Sequence, residues 1–61
     1  MNIYKLTAFE ANGEKIIDEA ILAKEEVEAK QKAELLLREK LANEKTHRLV
    51  SADGKLLLFK A

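Results

Sequence analysis

The chain has 61 residues, with 11 lysines and arginines balanced by 11 aspartates and glutamates, and no cysteine. A chain of this length forms one domain and buries roughly 60% of the surface that its unfolded form exposes, so its margin of stability is thin. The zero net charge argues against strong non-specific attraction to nucleic acid or to an anionic membrane. The absence of cysteine excludes disulfides and thiolate metal sites.

The chain has no signal for a membrane or for secretion. No apolar run approaches the roughly 20 residues that a membrane-spanning helix needs. The opening MNIYKLTAFE has neither the basic region nor the apolar core of a signal peptide. A cysteine-free chain also suits a reducing compartment. We therefore expect a cytoplasmic protein without a membrane partner.

The first predicted element is a β-hairpin around Asn12-Gly13, between the strand-like stretches NIYKLTAFEA and EKIIDEAILA. An Asn-Gly pair suits a two-residue type I′ turn, whose central residues need positive φ. Directly opposed residues share a face of the sheet. The pairs predicted are Phe9 with Ile16, Ala8 with Ile17, Leu6 with Glu19, and Tyr4 with Ile21.

This pairing gives the hairpin two apolar faces. The face that we assign to the helix side has Glu19 at its rim and otherwise carries Tyr4, Leu6, Ala8, Ile17 and Ile21. The opposite face carries Ile3, Phe9, Ile16 and Leu22, diluted by Lys5, Thr7 and Asp18.

The next element is a helix in KEEVEAKQKAELLLREKLANEK, a stretch of strong helix formers about 20 residues long. We expect it to start near residues 24–26, although Asp18 could cap a longer helix. Residues Glu26, Lys30 and Glu34 have the i,i+4 spacing of surface ion pairs. The apolar stripe at helical spacing consists of Ala29, Ala33, Leu36, Leu37 and Leu41.

The last element is a second hairpin around Asp53-Gly54, between HRLVSA and KLLLFKA. A two-residue loop puts Leu49, Leu56 and Leu58 on one face. The other face then carries Val50, Leu57 and Phe59, with Arg48 and Lys55. A three-residue loop with a β-bulge would change this register, and the pattern leaves both open.

These elements predict one α+β domain over residues 1–61, with ββαββ order: two β-hairpins form a four-stranded sheet, and one amphipathic helix packs across one face. The order resembles the β-grasp of the immunoglobulin-binding domains of proteins G and L, whose terminal strands pair in parallel at the sheet centre. The opening YKL is similar too. This resemblance concerns layout and implies no binding function.

A second resemblance covers nearly the whole chain. The stretches IYKLTAFEANGEKIIDE and KTHRLVSADGKLLLFK resemble the YhzD-like family of small Bacillus proteins. This resemblance implies a bacterial cytoplasmic protein and transfers no site residues.

Catalytic residue types are present, but their spacing argues against an enzyme. His47 and Ser51 share a strand and stand about 13 Å apart, whereas a nucleophile and its base need roughly 3 Å. Asp53 is a turn residue, and we expect His47 to make a local hydrogen bond. Both glycines lie in turns, so no phosphate-binding loop remains. We expect no pocket of several hundred Å³, and so no small-molecule substrate, cofactor or metal.

The apolar residues suggest a function in binding. Both sheet faces carry them, and one helix covers only one face. We therefore expect a non-enzymatic protein-interaction or self-associating module that uses the outer sheet face or an edge. An ordinary surface, shielded by lysine and arginine stems, remains the alternative. The candidate interface residues are Phe9, Ile16, Val50, Leu57 and Phe59.

Single-stranded nucleic acid is a second candidate partner. Two phenylalanines on a sheet face with basic neighbours resemble the stacking platforms of single-strand binders. Asp18 on the same face and the zero net charge argue against this function. The candidate contacts are Lys5, Arg48 and Lys55.

Overall fold

The computed structural model describes residues 1–61 and contains four strands and one helix in the predicted ββαββ order. The elements are β1 (Asn2–Phe9), β2 (Lys15–Ala23), α1 (Glu26–Glu39), β3 (Thr46–Ser51) and β4 (Leu56–Lys60). The strands form one antiparallel sheet in the order β2-β1-β3-β4, and α1 packs across one face. The predicted α+β class is confirmed.

The strand pairing differs from that of the β-grasp. The two central strands are β1 and β3, which run antiparallel, and β4 lies at the edge of the sheet. The chain returns from α1 to the free side of β1, so β3 occupies that place. Its hairpin partner β4 can then pair only with the far side of β3. The two terminal strands are therefore not neighbours.

The loop of the first hairpin has three residues, so the predicted type I′ turn is wrong. The amide of Gly13 donates to the carbonyl of Glu10 at 2.9 Å, and the amide of Glu10 donates to the carbonyl of Glu14 at 2.7 Å. Gly13 has φ +91°, whereas Asn12 does not have a positive φ. The Asn12 side chain instead accepts a hydrogen bond from the amide of Glu14 at 3.0 Å.

A β-bulge at Ile16 follows this loop and restores the register. Phe9 pairs with Lys15 and not with Ile16, because the longer loop shifts the pairing by one residue. Beyond the bulge the predicted pairs are confirmed. They are Ala8 with Ile17, Leu6 with Glu19, and Tyr4 with Ile21.

The second hairpin has the same design, so the three-residue loop with a bulge is confirmed there. The amide of Gly54 donates to the carbonyl of Ser51 at 3.0 Å, and the amide of Ser51 donates to the carbonyl of Lys55 at 2.9 Å. Gly54 has φ +91°. Leu57 is the extra residue of the bulge. The pairs on either side of it are Val50 with Leu56 and Leu49 with Leu58.

The core lies between α1 and one face of the sheet. The five hairpin residues predicted for the helix side are all buried, and Glu19 at the rim is exposed, as predicted. Leu6 and Leu49 are the largest fully buried side chains. The helix contributes Ala29, Ala33 and Leu37 to the core, with Leu36 half-buried beside them.

The helix begins at the predicted place and ends earlier than expected. The Glu28 carboxylate accepts a hydrogen bond from the backbone amide of Lys24 at 3.0 Å. This amide lies before the first helical turn and has no partner within the helix. On the helix surface Glu28 pairs with Lys32 at 3.2 Å. The predicted pairs of Lys30 with Glu26 and Glu34 do not form. The Glu26 carboxylate pairs with Lys55 instead.

A Schellman turn ends the helix. Leu41 has φ 55°, its amide donates to Arg38, and the next amide, that of Ala42, donates to Leu37 at 2.7 Å. This reversal buries Ala42 and turns Leu41 outward, where 81% of it is exposed. The prediction that Leu41 belongs to the buried stripe is therefore wrong.

Candidate interaction surface

The sheet face opposite α1, the outer face, has no element packed on it. In β1 the residues between the buried Tyr4, Leu6 and Ala8 point to this face. Cross-strand pairing then assigns their neighbours to the same face. The outer face carries Ile3, Lys5, Thr7 and Phe9 from β1, Lys15, Asp18, Ala20 and Leu22 from β2, Thr46, Arg48 and Val50 from β3, and Leu56 and Phe59 from β4.

One group of exposed apolar side chains on the outer face lies beside the β4 edge. Leu56 pairs with the half-buried Val50, and Phe59 pairs with Arg48. Phe59 is 62% exposed and Leu56 is 50% exposed. We call Val50, Leu56 and Phe59 the corner patch. A two-residue loop would have put Leu56 on the face of Leu49 and Leu58. The three-residue loop pairs Leu56 with Val50 instead, and the bulge at Leu57 returns Leu58 to the face of Leu49.

Two candidate interface residues do not lie open on the outer face. Ile16 and Leu57 are the extra residues of the two bulges, and both are half-buried against the core. Counting outward from the turn glycines, with side chains alternating strictly between the two faces, assigns both residues to the outer face. A bulge adds one residue to the strand and interrupts that alternation. Phe9, Val50 and Phe59 remain on the outer face. The Ala-Asn/Asp-Gly sequence repeated in both hairpins was a signal for the three-residue loops, but not for the separate bulges at Ile16 and Leu57.

In the other hairpin, charge covers the part of the outer face around Phe9, whereas Ile3 and Leu22, which pair near its other end, are 55% and 52% exposed. Asp18 bridges Lys5 at 2.7 Å and Lys15 at 3.2 Å. Hydrogen bonds from Lys5 and then from Lys15 hold the pKa of Asp18 below its usual value of 3.8. The Lys15 ammonium also lies 6.0 Å from the centre of the Phe9 ring. Phe9 is therefore half-buried within a charged network.

The three candidate nucleic-acid contacts do not act together. Lys5 is engaged by Asp18, as described above. Lys55 leaves the outer face and bridges Glu26 of the helix at 2.9 Å, and this contact raises the pKa of Lys55 above its usual value of 10.5. Only Arg48 lies on the outer face without an ion pair, next to Phe59.

The two edges of the sheet are protected to different degrees. On β2 the Lys32 ammonium donates to the carbonyl of Leu22 at 2.6 Å, and Asp18 and Glu19 interrupt the strand. On β4 the sequence is Leu56–Lys60, LLLFK, and no side chain donates to or accepts from its backbone. The unprotected edge is therefore the apolar one, and it borders the corner patch.

The catalytic residue types are not assembled. The Ser51 hydroxyl donates to the Asp53 carboxylate and accepts from the amide of Lys55 at 3.0 Å, so both side chains organise the second loop. Hydrogen bonding from the Ser51 hydroxyl and then from the backbone amide of Lys55 holds the pKa of Asp53 below its usual value of 3.8. His47 makes the expected local hydrogen bond, from Nδ1 to the carbonyl of Lys45 at 2.9 Å.

Three surface grooves have volumes of about 320, 350 and 420 Å³, so the expectation of no such volume is wrong. The first lies at the end of the helix and includes Arg38 and His47, while Ser51 and Asp53 line the second. The third lies between α1 and β2. No group of three or more His, Asp or Glu side chains is placed to hold a metal ion. The one helix is too short and too polar to cross a membrane.

The family expected from the sequence is confirmed. The model of the family described as YhzD-like protein matches residues 1–61. The chain belongs to the YhzD-like family. It is 46% identical over 56 residues to a protein of Bacillus subtilis (strain 168) named "Uncharacterized protein YhzD", and the match covers 92% of each chain. No solved structure matches the chain.

Proposed function

We propose that this YhzD-like protein is a non-enzymatic module that associates with a second copy of itself through the β4 side of its sheet. The observation that carries the proposal is the corner patch, three apolar side chains beside an apolar edge strand whose backbone no side chain caps. Such an edge is a template for pairing with another chain. Its neighbouring apolar surface is what an interface buries.

The composition of the core supports self-association. Five of the eleven core residues are alanines, namely Ala8, Ala23, Ala29, Ala33 and Ala42. Small side chains let the helix approach the sheet closely, but each of them buries little apolar area. A small domain without disulfides commonly gains stability by oligomerising. Burial of Leu56 and Phe59 against another copy would add apolar area that the single chain lacks.

Sedimentation equilibrium over a wide concentration range tests the proposal. We expect the natural chain to show a concentration-dependent dimer and Phe59→Ser to shift the equilibrium strongly toward monomer. Leu35→Ser is the matched control, because Leu35 is 59% exposed but lies on the helix. The control variant should dimerise as the natural chain does.

Two results would contradict the proposal. One is a natural chain that stays monomeric at protein concentrations up to on the order of 1 mM, because a dissociation constant above that value would be too weak to matter. The other is a folded Phe59→Ser variant that dimerises as well as the natural chain. Circular dichroism of each variant shows whether the fold persists, and the exposure of Phe59 favours that it does.

A second candidate function is binding of single-stranded nucleic acid, which is supported by the pairing of Arg48 with Phe59 on the outer face. It ranks second because Asp18 engages both of the other cations on that face. Fluorescence anisotropy with a labelled single-stranded oligonucleotide at low salt tests it. Binding that weakens steeply with salt and is lost in Arg48→Ala would support this function, and no detectable binding would remove it.

The same proposal includes a bacterial cytoplasmic location. The supporting observations are the absence of cysteine and the Bacillus subtilis relative. Fractionation of Bacillus cells with an antibody against the protein tests this part. Recovery outside the cytoplasmic fraction would contradict it.

A further inference from the structure

We infer that the dimer forms edge to edge, with β4 pairing antiparallel to β4 of a second copy, to make one continuous eight-stranded sheet. This inference rests on the proposed self-association and specifies its geometry. The two-fold axis would stand perpendicular to the sheet, because both copies contribute the same edge. Both helices would then lie on the same side of the joined sheet.

Face-to-face packing of two outer faces is disfavoured by charge. Each outer face carries the cations Lys5, Lys15 and Arg48 against the single carboxylate of Asp18. Stacking two such faces would bring like charges together and remove them from water. Both effects cost free energy. Edge pairing leaves these groups solvated, and the zero net charge of the chain adds no general repulsion.

Pairing through the other edge is opposed by the protection of β2. The Lys32 ammonium already occupies the carbonyl of Leu22, and a new strand would have to displace it. The adjacent Asp18 and Glu19 would meet charged residues of the second copy in the middle of a β2–β2 ladder. Both edge strands carry a bulge, at Ile16 in β2 and at Leu57 in β4, so the bulges do not distinguish the two edges. Between Leu56 and Phe59, β4 has no charged residue and no side-chain contact to its backbone.

The facing of the side chains selects the register. Directly opposed residues share a face, so the two-fold axis must lie midway between one β4 residue and the same residue of the second copy. If the axis lay at Leu58, Leu57 of one copy would be paired with Phe59 of the other. These side chains cannot pair, because Leu57 faces the core and Phe59 lies on the outer face. Centring on Lys60 would oppose two lysines. Centring on Phe59 avoids both conflicts.

In this register Phe59 meets its symmetry mate on the outer face, and Leu58 meets Lys60 of the second copy on the helix side. Aromatic cross-strand pairs are favourable. The lysine stem covers the leucine while the ammonium reaches water. No like charges are opposed within the ladder. Within this ladder Phe59 is the corner-patch residue that pairs with its own symmetry mate, and no two like charges are opposed.

The expected affinity is modest. A standard interface buries roughly 800 Å² on each partner, about a fifth of the 4236 Å² accessible surface of this chain. A short ladder with one aromatic pair buries less than that. We expect a reversible dimer with a dissociation constant on the order of micromolar to hundreds of micromolar.

Single-cysteine cross-linking tests the geometry, because the natural chain has no cysteine to interfere. In Phe59→Cys the two cysteines would face each other with Cα atoms about 4.5–5.5 Å apart, within the range that a disulfide requires. Leu22→Cys is the matched control, since Leu22 has a similar exposure of 52% and lies on the opposite edge strand. Phe59→Cys also removes the aromatic pair and weakens the dimer, so the mild oxidation is run at high protein concentration. There we expect Phe59→Cys to form disulfide-linked dimers at least an order of magnitude faster than Leu22→Cys.

Register gives a second readout. A mixture of Leu58→Cys and Lys60→Cys should form mixed disulfides in preference to either variant alone, because these positions face each other across the two-fold axis. Hydrogen exchange of the unsubstituted chain provides a measurement without cysteine. Amides of β4 should exchange more slowly at high than at low protein concentration, and amides of β2 should not change.

The outcomes separate this inference from the proposed function. If sedimentation shows a dimer but Phe59→Cys cross-links no faster than Leu22→Cys and β4 exchange is independent of concentration, edge pairing is wrong and self-association stands. If the chain is monomeric throughout, both are wrong. If Phe59→Cys cross-links rapidly while the mixed pair does not, the β4 edge is correct but the register centred on Phe59 is wrong.

Discussion

The first hairpin, residues 2–23, and the second, residues 46–60, are built on the same local plan. The loops Glu10–Glu14 and Ser51–Lys55 both place a glycine at φ +91° and close with the same two backbone hydrogen bonds. In each hairpin the bulged residue follows two positions after the loop, at Ile16 and Leu57. Both bulged side chains pack against the core.

The two hairpins differ in the edge strand that each contributes. In the first, Asp18, Glu19 and the contact from Lys32 protect β2 against pairing. In the second, the edge strand LLLFK carries no charge before Lys60. One backbone design therefore yields a protected edge and an unprotected edge, and side chains alone make the difference. The unprotected edge is the one that we propose for association.

The largest expected effect tests which leucines of the second hairpin belong to the core. Leu49 is fully buried, so Leu49→Ala should lower the free energy of unfolding by about 3 kcal/mol, within the usual range of 2–5 for such a change. Leu56→Ala should cost less than about 1 kcal/mol, because its side chain is half exposed on the outer face. Urea unfolding at low protein concentration measures both. Similar losses in the two variants would contradict the bulged register.

The turn glycines test whether the two loops are energetically equivalent. A Cβ at Gly13 or at Gly54 meets no atom within 4 Å, so only the backbone conformation opposes alanine. We expect Gly13→Ala and Gly54→Ala each to lower the free energy of unfolding by roughly 1–2 kcal/mol. Thermal or urea unfolding measures the two losses side by side. If the losses in unfolding free energy of the two variants differ by more than about 1 kcal/mol, the two loops are not energetically equivalent.

The fold could be predicted from the sequence to the level of element order. Turn dipeptides, a stretch of helix formers and alternating strands identify four strands and one helix. The buried face of the first hairpin was also correct, because the bulge at Ile16 cancels the error in loop length. In the second hairpin the sequence left the loop length open, and with it the face of Leu56. The sheet face to which a side chain near a bulge points depends on the length of the hairpin loop, and one Asp-Gly pair does not determine that length.

The candidate site could be predicted only in part. Phe9, Val50 and Phe59 were correctly placed on the outer face by alternation. The strand order, and with it the edge position of β4, depends on where the helix returns the chain, and local patterns do not contain that information. The reach of Lys55 to Glu26, 29 residues away along the chain, likewise depends on the tertiary structure.

The third residue with positive φ offers a contrast to the two glycines. Leu41 adopts φ 55° in the Schellman turn although a leucine is strained there, and 81% of it is exposed. We expect Leu41→Gly to raise the free energy of unfolding by up to about 1 kcal/mol, since the strain is relieved and little burial is lost. Chemical unfolding measures this gain. Leu41→Ala, which keeps a Cβ, should give no gain. A loss of stability in Leu41→Gly would show that the side chain makes a contact that matters.

The smallest expected effect distinguishes the aspartates of the two hairpins. The pKa of each is lowered in the folded chain, so each stabilises the fold above its unfolded pKa, and this contribution is lost as the pH falls through its lower folded pKa. Asp18→Asn and Asp53→Asn should therefore be less stable than the natural chain at neutral pH, and the differences should shrink below pH 3.8, the usual value.

Salt separates the two aspartates because their partners differ. Asp18 is held by the ammonium groups of two lysines, whereas Asp53 is held first by the Ser51 hydroxyl and then by a backbone amide. Ions in solution screen exposed charge pairs strongly and neutral hydrogen bonds little. Raising the salt concentration at neutral pH should shrink the deficit of Asp18→Asn and leave that of Asp53→Asn nearly unchanged. Equal responses to salt would mean that the charge network of the first hairpin stabilises it no differently from the loop hydrogen bonds of the second.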